Sequence, residues 1–201
     1  MEYKYKITNI CDFLSDQILT QEVEKTVSRF SSPQNEDVES FLKNNAIAFT
    51  KKGQSVTYLV SRTLDDGKNE VLVGYFALAI KTISINSNNQ NLSKTFYKRI
   101  NRICNVNEDG LYIFPAYLIA QLGKNYALEK DRQISGNELL EIALDVVSAI
   151  KQKIGGVVVF LECKDSKNDF LKNFYKNNGF VLFGERTSEK DKKLYQMIKQ
   201  I

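Results

Sequence analysis

The chain has no histidine. On this chain that excludes a Ser-His-Asp or Cys-His nucleophile, an imidazole general base and a His-ligated metal. Proton transfer must therefore run through carboxylates, tyrosine, lysine, cysteine or water. Cysteine is scarce: Cys11, Cys104 and Cys163 are odd in number and lack paired metal-ligand spacing. They read as reduced, buried cytoplasmic thiols rather than a disulfide framework. Cys163 is a candidate nucleophile at the end of an apolar run, although a small core thiol is the commoner use of such a residue. No apolar run is long enough to span a bilayer, and the polar start Met1-Glu2-Tyr3-Lys4 reads as carrying no signal peptide.

What is present suits one sizeable core. With 201 residues, 43% of them hydrophobic, and only two prolines, the simplest organisation is a single domain over 1–201. The net charge of +4 comes from 28 basic and 24 acidic residues that are largely interspersed. One local row, Lys94, Lys98, Arg99 and Arg102, falls on a predicted helix and could meet RNA phosphates. Such a row is more often a solvated helix face.

Along the chain, Tyr3 to Ile7 alternates as a strand, and Asp12 to Phe30 and Asp37 to Phe49 carry helical patterns. Val56 to Arg62 and Glu70 to Ile80 read as strands joined by a turn at Asp65-Asp66-Gly67. Ser84 to Ser93 is polar and aperiodic, which predicts a flexible loop, either a solvated excursion or a cover over a binding site.

The C-terminal part is the most informative. Val157 to Cys163 is a continuous apolar, β-branched run, the pattern of a strand buried on both faces of a partly parallel sheet. Asn168 or Asp169 can cap the helix that follows, which places Phe170, Leu171, Phe174 and Tyr175 on one face and sends Lys172 and Lys176 to water. Gly179 predicts a left-handed stop, with Phe180 folding back on the last turn before a final strand, Phe180 to Phe183.

Upstream, Leu111 to Gly123 is a long apolar strand interrupted by Pro115, which implies an edge or a bulge. Leu139, Leu140, Ala143, Val146, Val147 and Ile150 recur at helical spacing, so a helix runs from about Asn137 to Lys151. Its start carries a capping box in which Ser135 caps and Glu138 reaches back. Gly136 admits an anion close to the backbone, where the N–H groups and dipole of a helix start favour phosphate.

These segments, in this order, resemble the Gcn5-related N-acetyltransferase (GNAT) superfamily. Asn168, Phe174-Tyr175 and Gly179-Phe180 resemble its C-terminal signature, with Leu171 where alanine is usual. Pro115 to Gly123 resembles its central strand, and Arg132 to Leu140 stands where its coenzyme loop belongs. The loop departs from the family pattern, with Asp131 at its first position and Ile134 at its first glycine. In the first half, Phe30-Ser31-Ser32, Val38 to Ala46, Ser55 to Val60 and Val73 to Leu78 are similar to the helices and strands of one branch.

The resemblance implies an α/β (α+β) acyl-CoA N-acyltransferase fold, a mixed central sheet with splayed strands flanked by helices. It implies acetyl-CoA as co-substrate, no metal and direct attack by an amine. Backbone groups at Leu122, Gly123 and Lys124 would hold the pantetheine arm and polarise the thioester. Arg132 would supply charge, and Gln133, Ile134, Ser135, Gly136 and Asn137 would cradle the pyrophosphate. Asn168 would contact the coenzyme, Tyr175 would protonate the departing thiolate, and Glu162 or Asp165 would act as base. The acceptor implied by the resemblance is an amine of a small molecule or protein. Alternatives are a toxin-type enzyme acting on aminoacyl-tRNA and partnered by an antitoxin, or a degenerate member that binds coenzyme A without catalysis. An exposed strand offers a route to a homodimer.

Overall fold

The structure is a computed structural model that describes residues 4–64, 69–164, 169–188 and 191–201. Among the described residues, seven strands make one mixed sheet. They are β1 (Lys6–Asn9), β2 (Val56–Thr63), β3 (Glu70–Asn86), β4 (Leu111–Lys124), β5 (Val158–Lys164), β6 (Val181–Thr187) and β7 (Lys193–Gln200). Their order is β1-β2-β3-β4-β5-β7-β6. The helices are α1 (Gln17–Ser28), α2 (Glu36–Ser40), α3 (Ala46–Lys51), α4 (Lys94–Ile100), α5 (Gly136–Ile154) and α6 (Phe170–Asn177). Residue contacts divide the chain into two compact units, Met1–Ala79 with Ala120–Leu144, and Ile80–Ile119 with Asp145–Ile201.

In the first unit β1 pairs antiparallel with β2, and β2 with β3, with a register shift between Val60 and Ser61. β1 lies later than the alternation predicted, and the expected helix from Asp12 to Phe30 is two elements. Asn9 accepts from the Cys11 amide to cap a short 3-10 turn at Ile10–Phe13, and Asp16 then caps α1 by accepting from the amides of Ile18 and Leu19. Two competing caps in one segment split what hydrophobic periodicity reads as one helix. The second predicted helix runs from α2 to α3 through a π-turn at Phe41–Asn45. The core joins Ile10, Val27, Phe30, Val38 and Leu42 to Tyr75. The Tyr75 ring meets Phe30 edge-on at 5.3 Å, and its buried hydroxyl donates to the Val38 carbonyl at 2.6 Å. Cys11 is exposed and Cys104 half-buried, so only Cys163 is the buried thiol expected of all three. The turn expected at Asp65-Asp66-Gly67 lies outside the described residues.

In the second unit β4 pairs with β5 in parallel from Tyr117↔Val159 to Ile119↔Leu161. Pro115 lies before this pairing begins, so its missing N–H removes no bond to β5. Strand β7, absent from the sequence reading, pairs antiparallel with both β5 and β6. Its polar residues, Gln196 and Lys199 among them, mask the alternation that apolar counting detects, and β6 is therefore not the final strand. On one face α4 buries Phe96 and Ile100 against Ile83, Ile85, Tyr112, Phe114 and Phe160.

The segment expected to be a flexible loop at Ser84 to Ser93 is tethered. β3 continues to Asn86, Asn89 donates its side-chain amide to the Phe183 carbonyl at 2.7 Å, and the Tyr97 hydroxyl donates to the carbonyls of Asn86 and Asn89. Leu92 is buried, and Ser93 caps α4. The asparagines that look like solvated loop residues are making the loop's own hydrogen bonds. Among the described residues no helix is long and apolar enough to cross a membrane.

Candidate active site

The first unit holds the predicted coenzyme loop, from the end of β4 to the start of α5. Gly123 is packed so closely that a Cβ there would lie 2.4 Å from Val38 Cγ1 and 2.8 Å from the Tyr75 ring. Its small size is required by the core of this unit, whatever its backbone offers a ligand. Next comes Asn125, which is buried. Its carbonyl oxygen accepts from the amides of Ser31 and Ala127, and its amide donates to the Leu72 carbonyl at 2.8 Å. This one side chain fixes the exit of β4. Lys124 lies over the Tyr126 ring at 5.3 Å.

Within the loop, Gln133 donates to the Leu128 carbonyl at 2.8 Å, and Ile134 is only 1% exposed. Where the family pattern has its first glycine, this chain therefore anchors the loop by a buried side chain. Arg132, half-exposed, faces Glu129 at 3.9 Å.

The capping box is formed as predicted. Ser135 Oγ accepts from the Glu138 amide at 3.1 Å, and Glu138 accepts from the Ser135 amide at 3.0 Å. Glu138 also accepts from Lys4 Nζ at 2.6 Å and from the Tyr5 hydroxyl at 3.0 Å. The Lys4 hydrogen bond first, then the Ser135 bonds, push its carboxyl down to about 2. A carboxylate at a helix start discourages a second anion there, and the Lys4 ammonium offsets its charge.

The second unit holds the strand-helix-strand segment. Asn168 and Asp165 lie outside the described residues. Asp169 opens α6 in a left-handed conformation, φ 53°, with no side-chain cap. Instead its carboxylate pairs with Lys172 at 2.6 Å, and Lys172 sits over the Tyr195 ring at 4.4 Å. Lys172 is thus drawn into contact rather than pointing to water, and Phe170, expected on the apolar face, is 69% exposed. The far end of α6 follows the sequence reading. Gly179 has φ +81°, the Phe180 amide donates to the Tyr175 carbonyl at 3.0 Å, and the buried Phe180 ring packs on Tyr175 at 5.8 Å.

Tyr175 is buried between the Phe174 and Phe180 rings, and burial, with the Cys163 thiol adding to it, pushes its phenol well above the ordinary range. The group stays protonated at neutral pH. Glu162 and Cys163 are neighbours on β5 and so point to opposite faces. Cys163 faces the Tyr175 side, and Glu162 the side of Phe160.

Glu162 is engaged rather than free. Its Oε1 accepts from Arg186 Nε at 2.6 Å and from Gln196 Nε2 at 2.9 Å, and its Oε2 accepts from Arg186 Nη2. Burial works to raise its pKa, but the Arg186 and Gln196 hydrogen bonds, with the Arg186 and Lys81 charges, outweigh it and hold the carboxyl below the ordinary range. Gln196 stands opposite Gly184 on β6, where a Cβ would come within 2.6 Å of its Oε1. The clasp therefore crosses three strands over a glycine gap. It lines a cavity of about 330 Å³ whose floor is Ile83, Leu118, Phe160 and Phe183 and whose mouth carries Lys81, Thr82 and Ser84. Arg186, Gln196 and Lys81 had no motif to mark them, because only strand pairing brings them together. Among the described residues no group of three or more Cys, Asp or Glu side chains could hold a metal ion.

No protein-family model matches the sequence, and no curated protein is similar to it in sequence. Solved structures are similar in fold. A structure of AtaT complexed with acetyl-methionyl-tRNAfMet covers 95% of this chain and 93% of its own, with 17% identity and a TM-score of 0.61. A mutant of KacT covers 96% of this chain and 95% of its own, with 18% identity and a TM-score of 0.61. AtaTR bound with AcCoA covers 96% and 93%, with 16% identity and a TM-score of 0.56. At such identities the likeness is one of fold, and the fold of this chain is that of the GNAT acetyltransferases.

Proposed function

We propose that the protein is an acetyl-CoA-dependent N-acetyltransferase that works as one domain on a primary amine of a small molecule or protein. Tyr175 is the observation that carries this reading: a buried phenol, protonated at neutral pH as any tyrosine is, packed between Phe174 and Phe180 beside the end of β5 on the helix where the family's acid belongs. The loop from Leu122 to Asn137 would hold the donor. Gly136 and the start of α5 would face the pyrophosphate, with Arg132 supplying charge and Glu138 neutralised by Lys4. Asn168 is assigned to the coenzyme from its motif position.

The neutral amine nitrogen forms a bond to the acetyl carbonyl carbon, and backbone donors near Leu122 to Lys124 stabilise the oxyanion. The carbon–sulfur bond then breaks with its electron pair on sulfur, and Tyr175 gives the thiolate a proton. Glu162 is the candidate to take up the amine proton. Its lowered pKa makes that uptake transient, with water the final acceptor.

Calorimetric titration with acetyl-CoA, repeated on Gly136→Glu, tests the reading. Micromolar or tighter binding that is lost in the variant supports it. A folded protein that binds no acetyl-CoA removes it and leaves the non-catalytic alternative, for which Asp131 and Ile134 are the argument.

A second reading, acetylation of aminoacyl-tRNA with an antitoxin as partner, is favoured by the AtaT complex with acetyl-methionyl-tRNAfMet and by the exposure of Lys94, Lys98, Arg99 and Arg102 on and just after α4. Growth arrest on induced expression, abolished by Tyr175→Phe, would support it, and normal growth would count against it. A homodimer through β6, which ends the sheet, belongs to the same proposal, and the mass in solution tests it.

A further inference from the structure

We infer that the cavity beside Glu162 is the acceptor pocket, and that it takes a free α-amino acid with an apolar side chain. This rests on the acetyltransferase reading above. Three features of the cavity select that chemistry. Its floor, Ile83, Leu118, Phe160 and Phe183, is apolar, and a volume of about 330 Å³ suits a compact side chain rather than a folded partner.

Its wall holds an oriented acceptor for an amine. A carboxylate offers about four lone-pair sites. Arg186 and Gln196 occupy both sites on Glu162 Oε1 and one on Oε2, so the carboxylate is fixed in place and retains one site for a ligand N–H. Its mouth is cationic. The charges of Glu162 and Arg186 cancel, and Lys81, which makes no ion pair among the described residues, leaves one positive charge for the ligand carboxylate.

The location fits the chemistry as well. Glu162 opens into the cavity from one face of β5, and its neighbour Cys163 lies on the Tyr175 face. The pairing of β5 with β4 ends at Leu161, one residue earlier. An amine held by Glu162 thus lies where β5 has no parallel partner, on the face of β5 opposite Tyr175.

The test uses the full chain with acetyl-CoA and follows thiol release with L-leucine, L-leucinamide and leucyl-tRNA as probes. The expected order places L-leucine above L-leucinamide by about tenfold in kcat/KM, the worth of one charge-assisted contact. Lys81→Glu should remove or reverse that preference, and Lys81→Gln should abolish it, with affinity for acetyl-CoA unchanged in both. Lys81 is exposed, so neither variant should disturb folding. Equal rates with L-leucine and L-leucinamide, or a preference that survives Lys81→Glu, would overturn the inference. Turnover of leucyl-tRNA alone would overturn it too and would favour the macromolecular reading. Absence of acetyl-CoA binding is a different failure, that of the acetyltransferase reading itself.

Discussion

The starts of α5 and α6 carry the two halves of the proposed chemistry and are built by opposite means. At α5, Ser135 and Glu138 close a reciprocal box within four residues of sequence, and the carboxylate is then shared with Lys4 and Tyr5. At α6, Asp169 caps nothing and sits in a left-handed conformation. The turn is held through Lys172, which reaches the Tyr195 ring on β7. The first start is specified locally and can present backbone groups in a fixed direction. The second depends on a strand placed later in the chain, so the position of Tyr175 is set by tertiary packing as much as by its own helix.

The sharpest way to separate the two regions is Tyr175→Phe. It should lower kcat by about a hundredfold or more, the usual contribution of a general acid, while affinity for acetyl-CoA and Tm stay near wild type. Equal losses in turnover and Tm would mean that Tyr175 only packs. Gly123→Ala acts on the other region and on stability. The Cβ collides with Val38 and Tyr75, which should cost about 1–3 kcal/mol in chemical denaturation. Ser135→Ala should cost about 1 kcal/mol through the lost cap and weaken acetyl-CoA binding with it. A variant as stable as wild type would show that the box is not what holds α5.

The smallest effect is one of pH. Glu138 has a depressed folded-state pKa, so the stability it contributes is present above its ordinary value of 4.5 and is lost as pH falls toward about 2. Over that window Tm should fall less steeply in Glu138→Gln than in wild type. Identical slopes would show that the Lys4 contact does not persist in solution.

Within these regions legibility followed the range of the interactions. The capping box and the Gly179 stop with Phe180 folded on Tyr175 were readable because each is settled within a few residues, and β5 was readable because its continuous apolar run is itself the mark of burial on both faces. The strand β7, the tethered loop after β3, the placement of Lys172 and the exposure of Phe170 were not, because each is decided by a partner far away in sequence. Gly123 shows the same division at one residue. Its place in the central-strand motif suggested a ligand, and the structure adds a collision with Val38 and Tyr75 that no local pattern contains.

The sequence by itself determined which chemistry is open, since a chain without histidine leaves proton transfer to carboxylates, tyrosine, lysine, cysteine or water, and it determined the local frame of helix caps and buried strands that carries the GNAT fold. Only the tertiary structure decided what Glu162 is. In the sequence it is a carboxylate at the end of a buried strand, open to service as a base. In the fold, β7 enters between β5 and β6, Gly184 leaves room for Gln196, and Arg186 reaches across to complete the clasp. The reason is physical: hydrogen-bond partners from three strands meet only when those strands pair, and the state of a titratable group follows from the partners it meets.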